Sequence, residues 1–180
     1  SMNMMVNLMR EHIPQDSRIH YVITKGGLAP NVIPDEAQVY YYVRHPKRKM
    51  VDNLFERVSL AAKGAAMGTG TEVSYEVMHG NYPLMPNETI QRIMHEKLSD
   101  RGGITYSSAE NEFANEIFKT FLSPSAQIGD QRNILPYETT HGYGSTDVGD
   151  ISWLVPTGGA RIATWVPGTP AHSWQAVASG

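Results

Sequence analysis

The order of predicted secondary-structure elements in the first 80 residues constrains the fold more than any other feature of the sequence. The spacing of apolar residues predicts two helices and three strands, which fall at 2–12, 19–24, 38–43, 47–66 and 71–78. Their order is helix, strand, strand, helix, strand. A ferredoxin-like split β-α-β unit has this order with one more strand at the front. The sequence therefore predicts a ferredoxin-like unit that lacks its first strand.

A missing strand has a consequence for association. It leaves backbone N–H and C=O groups unpaired, either at a sheet edge or between two strands. Such groups pair readily with a strand from another chain. We therefore expect a homodimer or higher oligomer that forms through residues 2–84.

The second half of the chain has a different character. Asn87 is a suitable N-cap for a helix over 88–98, and Ser107 with Glu110 has the spacing of a capping box. The remainder is rich in Gly, Thr, Ser and Pro, and short strands are predicted at 151–155 and 163–166. We expect an α/β (α+β) protein with two domains, at 2–84 and 85–180.

Composition excludes several classes of protein. Lys and Arg number 15 against 18 Asp and Glu, giving a net charge of −3, so we expect no nucleic-acid partner. No apolar run approaches the length that spans a bilayer, and we expect no membrane association. The chain has no cysteine, which fits a reducing compartment, and its first residues lack the pattern of a signal peptide. We expect a cytoplasmic protein.

No complete active-site motif is present, but three local runs could carry chemistry. The seven histidines include no His-Glu-x-x-His pair, and there is no Gly-x-Ser-x-Gly elbow or phosphate-binding glycine loop. The three runs are 142–150 (GYGSTDVGD), 167–174 (PGTPAHSW) and 29–34 (APNVIP), the last with Arg44 thirteen positions after Asn31. Each has an ordinary structural alternative: a tight turn, a hydrogen-bonded structural histidine, and a turn asparagine with a surface arginine.

Taken together, the runs carry a resemblance to a family. The chain resembles the dinuclear-zinc amidohydrolases, which include aminoacylases, carboxypeptidase G and indole-acetyl-amino-acid hydrolases. Within them it is most similar to the p-aminobenzoyl-glutamate hydrolase B-subunit group. The resemblance covers about 2–178, and it is carried by 29–35 (APNVIPD), 40–44 (YYYVR), 145–153 (STDVGDISW) and 163–175 (ATWVPGTPAHSWQ).

The resemblance implies an architecture and an activity. Family members have an α/β catalytic domain with an inserted ferredoxin-like lid, and the lid usually forms the dimer. Residues 2–84 would be most of the lid, and 85–180 the C-terminal part of the catalytic domain. The implied reaction is hydrolysis of the amide bond of a small N-acyl amino acid such as p-aminobenzoyl-glutamate. Two zinc ions, or manganese, are the implied cofactors, and a homologous second subunit is a further implied partner.

The resemblance also implies roles for single residues. His172 matches the last metal-ligand histidine, and Asp147 matches a residue that supports the ligands without binding the metal.

The substrate contacts come from both domains. Asn31 matches the lid residue that reaches the scissile carbonyl, often across the dimer. Arg44 matches the lid arginine that binds the substrate carboxylate, and Gly168 and Thr169 match a backbone contact to that carboxylate.

Several family residues have no counterpart in this sequence. The remaining metal ligands and the glutamate general base belong to the N-terminal half of the catalytic domain, and the oxyanion-stabilising histidine belongs to the first lid strand. His20 and His45 are not in that context. We therefore expect a fragment that is inactive alone. The alternative is a non-catalytic dimerisation or regulatory module, and the coding sequence upstream would distinguish the two.

Overall fold

The chain is a mixed α+β structure with one small antiparallel sheet. The computed structural model describes residues 1–140, 142 and 144–180. Their helices and strands are α1 (Met2–Met9), β1 (Arg18–Lys25), β2 (Gln38–Arg44), α2 (Arg48–Thr69), α3 (Glu88–Arg101), α4 (Ser108–Phe118), α5 (Val148–Ser152) and α6 (Trp174–Ser179). Two short 3-10 turns lie at Arg10–His12 and Asp130–Arg132. Within this described part, no helix is both long and apolar enough to cross a membrane.

The chain divides into two compact units. The N-terminal unit comprises Ser1–Leu84 with 144–150, and the C-terminal unit comprises 85–140, 142 and Ile151–Gly180. The helices and the sheet of the first 70 residues thus belong to one unit, while α3, α4 and α6 belong to the other.

The two strands pair in a register that gives the sheet one inner and one outer face. Residue 19 lies opposite residue 43, and residue 21 opposite residue 41. Ile19 is 4% exposed and packs with Val6 of α1 and Val58 of α2. The Tyr41 hydroxyl donates to Asn3 Oδ1 at 2.5 Å. Side chains alternate along a strand, so this face of the sheet packs against the helices and the opposite face points outward.

The long helix α2 covers the inner face of the sheet. It follows Pro46 and ends where Gly70 adopts a left-handed conformation, with φ of 64°. The Gly70 N–H donates to Ala66 O, a common C-terminal cap that glycine adopts without steric cost. The predicted helix at 47–66 is confirmed, and it runs slightly further.

The predicted caps of the C-terminal unit are also confirmed. The Asn87 side chain accepts from the Ile90 N–H at 3.1 Å. Ser107 N donates to the Glu110 carboxylate at 2.7 Å, and Glu110 N donates to the Ser107 hydroxyl at 3.3 Å. Glu110 is therefore held by a charge-assisted bond, which lowers the pKa of its carboxyl. Ala114 and Ile117 of α4 form a buried cluster with Val166.

Three predicted strands are wrong. The segment 71–86 contains no regular secondary structure, residues 151–152 end α5, and residues 163–166 form no strand. For 71–78 the alternation of Val73, Tyr75 and Val77 is present, but alternation does not make a strand. A strand requires a neighbour that pairs with its N–H and C=O groups. Among the described residues the segment 71–78 has no such neighbour, and the sheet consists of β1 and β2.

Two leucines of α2 provide a test of this packing. Leu54 is 0% exposed and Leu60 is 57% exposed, and both lie within the same helix. We expect Leu54→Ala to lower the free energy of unfolding by about 2–5 kcal/mol, because it leaves a cavity in the core. Leu60→Ala changes helix propensity by the same amount and should lower the free energy of unfolding by less than about 1 kcal/mol. Urea denaturation of both variants checks this, and equal losses would contradict the placement of α2.

Candidate functional site

His172 has an unusual backbone conformation. Its φ is 61°, and it is the one residue other than glycine with a positive φ among the residues that the structure describes. The left-handed region costs an ordinary side chain roughly 1–2 kcal/mol. The residue is exposed and lies just before α6, whose N-cap is Ser173. The conformation is thus not enforced by burial of the imidazole.

Hydrogen bonds on both sides hold the His172 loop in place. The Thr169 hydroxyl donates to Val166 O at 2.6 Å, and its N–H donates to the same carbonyl at 3.1 Å. The Ser173 hydroxyl donates to Pro170 O at 2.7 Å and accepts from Ala176 N at 3.2 Å. The loop from 166 to 173 is therefore fixed at both ends by local bonds.

Gly168 is required in this loop for two reasons. Its φ is 87°, which disfavours other residues, and an added Cβ would lie 3.0 Å from Pro124 Cβ. The loop backbone thus packs closely on the segment after α4. The structure brings Gly168, Thr169 and His172 together on one short loop of the C-terminal unit.

An open cavity of about 220 Å³ lies beside this loop. It is lined by residues 120–124 on one side and by Gly168, Pro170 and Gln175 on the other. The Gln175 side-chain amide donates to the Thr120 hydroxyl at 3.2 Å, which links α6 to the end of α4. The sequence does not predict the contact between Gln175 and Thr120, because nothing in their local pattern indicates it.

Asn31 and Arg44 both belong to the N-terminal unit. Asn31 is exposed in the connection between β1 and β2, and an ion pair between Lys25 and Glu36 joins the base of this loop. Arg44 is the last residue of β2, and its guanidinium carbon lies 5.1 Å from the centre of the Tyr42 ring.

The run 142–150 contacts the extended segment after α2. Its Tyr143 lies outside the described residues. The Asp147 carboxylate is exposed and accepts from the Thr146 hydroxyl at 3.4 Å. Asp150, not Asp147, makes the closer contact: it accepts from Tyr82 N at 2.7 Å. An added Cβ at Gly149 would lie 2.0 Å from Tyr82 O, so this glycine permits the contact.

The described residues do not assemble a metal shell. Over 1–140, 142 and 144–180, no group of three His, Cys, Asp or Glu side chains is placed to hold an ion. A protein zinc site takes about three or four such ligands. The side chains at hand therefore do not fit a dinuclear centre by themselves, and His172 would be one ligand of such a shell.

The chain is similar to named hydrolases. It is 32% identical over 200 residues to the p-aminobenzoyl-glutamate hydrolase B-subunit of Escherichia coli (strain K12), an alignment with 97% of this chain and 42% of that protein. It is 27% and 26% identical over 152 residues to the Xaa-Arg dipeptidases of Mus musculus and Homo sapiens, in each case with 84% of this chain and 29% of the relative. No protein-family model matches the chain.

These similarities confirm the resemblance that the motifs indicated, and they also limit it. The chain spans less than half the length of the curated relatives that it matches. The roles of Asn31, Arg44, Asp147, Gly168, Thr169 and His172 stay predictions from the motifs.

The conformation of His172 can be tested by substitution. We expect His172→Gly and His172→Asn to keep the free energy of unfolding within about 0.5 kcal/mol of the parent chain or to raise it, because both residues tolerate a positive φ. His172→Val should lower it by roughly 1–2 kcal/mol. His79→Val is the control, since His79 is exposed and has no positive φ. A large loss in His172→Asn would instead indicate a structural histidine.

Proposed function

We propose that this chain, a relative of the p-aminobenzoyl-glutamate hydrolase B-subunit and the Xaa-Arg dipeptidases, is the lid and C-terminal catalytic portion of a metal-dependent amidohydrolase. The reaction is hydrolysis of the amide bond of an N-acyl amino acid such as p-aminobenzoyl-glutamate. The observation that carries the proposal is the exposed, left-handed His172 in a loop braced by Thr169 and Ser173. Strained backbone of this kind persists mainly where function requires it.

His172 supplies one nitrogen ligand of the metal centre in this proposal. Two zinc ions, or manganese, would polarise the amide carbonyl and activate a water when bound in the whole protein. The other ligands and the general base come from outside the described residues, so this chain contributes the imidazole and its orientation. The motif resemblance assigns Asp147 a role in supporting the metal ligands without binding the ion.

The substrate carboxylate is the group that this chain is best suited to bind. Arg44 presents a planar guanidinium, which forms bidentate pairs with carboxylates, and the ring of Tyr42 limits its motion. The motif resemblance assigns Gly168 and Thr169 a backbone contact to a substrate carboxylate. In this proposal Asn31, which is exposed in the connection between β1 and β2, contacts the scissile carbonyl of a substrate bound by a partner subunit.

The proposal has a direct test in two steps. The coding sequence upstream of Ser1 is read first, and we expect a His-x-Asp motif and a Glu-Glu pair there. The longer protein is then assayed for release of glutamate from p-aminobenzoyl-glutamate. Arg44→Gln should lower kcat/KM by about 10- to 100-fold, the value of a charge-assisted hydrogen bond. Lys63→Gln, an exposed change of equal charge on α2, is the control.

The chain alone provides the matching negative result. We expect no turnover from the 180-residue protein, because its described residues contain no group of three metal ligands. Chelator-sensitive turnover by this chain would contradict that expectation. The upstream region could instead contain an independent promoter and start codon and lack the ligand motifs. That result would favour the non-catalytic association module and overturn the hydrolase proposal.

Self-association through residues 2–84 is the second part of the proposal. Among the described residues each strand of the sheet pairs only with the other and the segment 72–81 joins no sheet, so both offer backbone N–H and C=O groups to a further strand. A second copy can pair with these groups and bury the exposed side chains of Val73 and Val77.

Light scattering tests the association. We expect a dimer or larger species at high micromolar concentration, and we expect Val77→Lys to shift it toward monomer because it puts a charge into the apolar contact. Val177→Lys, at an exposed valine of α6, is the matched control. A stable monomer, or equal effects of the two variants, would exclude association through this region.

A further inference from the structure

We propose that Met5 of α1 is a site of oxidation by hydrogen peroxide, and that its conversion to the sulfoxide releases α1 from α2. The modified group is the Met5 thioether, and the reversal requires a methionine sulfoxide reductase. The site lies in the N-terminal unit and does not depend on the hydrolase activity proposed above.

Methionine supplies all the sulfur of this chain, which has 9 methionines and no cysteine. Four of the methionines, Met2, Met4, Met5 and Met9, lie within the eight residues of α1. Cysteine thiolates and methionine thioethers are the side chains that peroxides oxidise most readily. Because thiolates are absent from the sequence, the thioethers of α1 are a concentrated target.

Met5 combines exposure with a packing contact. Its side chain is 42% exposed, yet its sulfur lies 3.9 Å from the position that a Cβ would occupy at Gly64 of α2, and its methyl carbon lies 4.0 Å from that position. The thioether therefore lies over the α2 backbone and is still open to a small oxidant. Met2 and Met9 are half-buried against the core cluster, whereas Met4 is 66% exposed.

The short helix α1 depends on packing for its stability. It has eight residues, and isolated helices shorter than about 12–15 residues are marginal in water. Its N-cap, Ser1, makes no side-chain cap hydrogen bond. Arg57 of α2 donates to His12 O at 3.1 Å and holds the chain beyond the other end of α1. The contact of Met5 with α2 thus supports the first half of the helix.

Oxidation changes the polarity of this contact. A sulfur lone pair attacks one oxygen of hydrogen peroxide, an S–O bond forms, the O–O bond breaks, and the second oxygen leaves as water with both protons. Sulfur loses two electrons, and they reduce the peroxide. The sulfoxide oxygen is a strong acceptor, but the N–H groups around Gly64 already donate within α2. The oxidised Met5 side chain therefore favours water over the α2 backbone.

Release of α1 uncovers the core of the N-terminal unit. Val6, the next residue, is 0% exposed and packs with Ile19 of β1 and Val58 of α2. Met2 and Met9 pack against the same cluster, and they become open to oxidation when the helix leaves. Conversion of one accessible thioether thereby loosens the helix that covers β1.

Hydrogen exchange of the 180-residue chain measures the release. The chain is treated with hydrogen peroxide, and peptide mass spectrometry gives the conversion of each methionine. We expect amide exchange in α1 to become about 5- to 30-fold faster when Met5 is converted. Exchange in α4, which belongs to the other unit and contains no methionine, should stay unchanged. Methionine sulfoxide reductases A and B should together restore slow exchange, since each reduces one sulfoxide epimer.

Variants at two positions of α1 separate Met5 from oxidation in general. Met5→Leu keeps an apolar contact without sulfur, so peroxide should change exchange in α1 by less than about twofold. Met4→Leu, at the more exposed neighbour, should keep the full acceleration. Without peroxide, Met5→Gln should imitate the sulfoxide and accelerate exchange in α1, and Met4→Gln should not.

Several results would contradict the proposal. Acceleration that persists in Met5→Leu, or equal effects of Met5→Gln and Met4→Gln, would assign the loosening to another residue. Conversion of Met5 without faster exchange would show that this contact does not hold α1. Conversion of Met4 while Met5 stays a thioether would show that α2 shields the sulfur. Acceleration that the two reductases fail to reverse would also exclude a sulfoxide as its cause.

Discussion

The pairing of β1 with β2 is the constraint on which the chemistry of the N-terminal unit depends. Ile19 is buried between α1 and α2, and this burial selects one face of the sheet as the inner face. A slip of β1 by one residue would bring the inner side chains of that strand, Ile19 among them, to the outside. Arg18 would then turn toward the helices, at a large cost in free energy. The burial of one isoleucine thus determines which face of β1 carries Arg18.

Elements that depend on local bonds could be predicted from the sequence. The helix predicted at 47–66 is found at Arg48–Thr69, and the caps at Asn87 and Ser107 form the hydrogen bonds that their spacing predicts. These predictions are confirmed because an α-helix satisfies its own backbone N–H and C=O groups within four residues, and its capping residues lie in the adjacent sequence. The predictions of β1 and β2 are confirmed because these two strands follow each other directly along the chain.

Elements that depend on distant partners could not be predicted in this way. The alternation at 71–78 is typical of a strand, yet no strand pairs with this segment in the part of the chain that the structure describes. In the residues that follow, side chains accept the hydrogen bonds that a neighbouring strand would accept in a sheet. Asp150 accepts from Tyr82 N, and Ser152 accepts from Met85 N at 2.8 Å. A sequence pattern reports which face of a segment is apolar, but it does not report whether a neighbouring backbone is available.

The same limit applies to the candidate site. The motifs identified the His172 loop and Arg44, but not the left-handed φ of His172 or the position of Arg18 opposite Arg44. The first feature opposes stability through backbone strain. Folding alone favours an asparagine or glycine at 172. Where a sequence keeps a local choice that folding disfavours, binding or catalysis is the physical reason to examine first, and in this chain that choice lies in the loop that carries the predicted metal ligand.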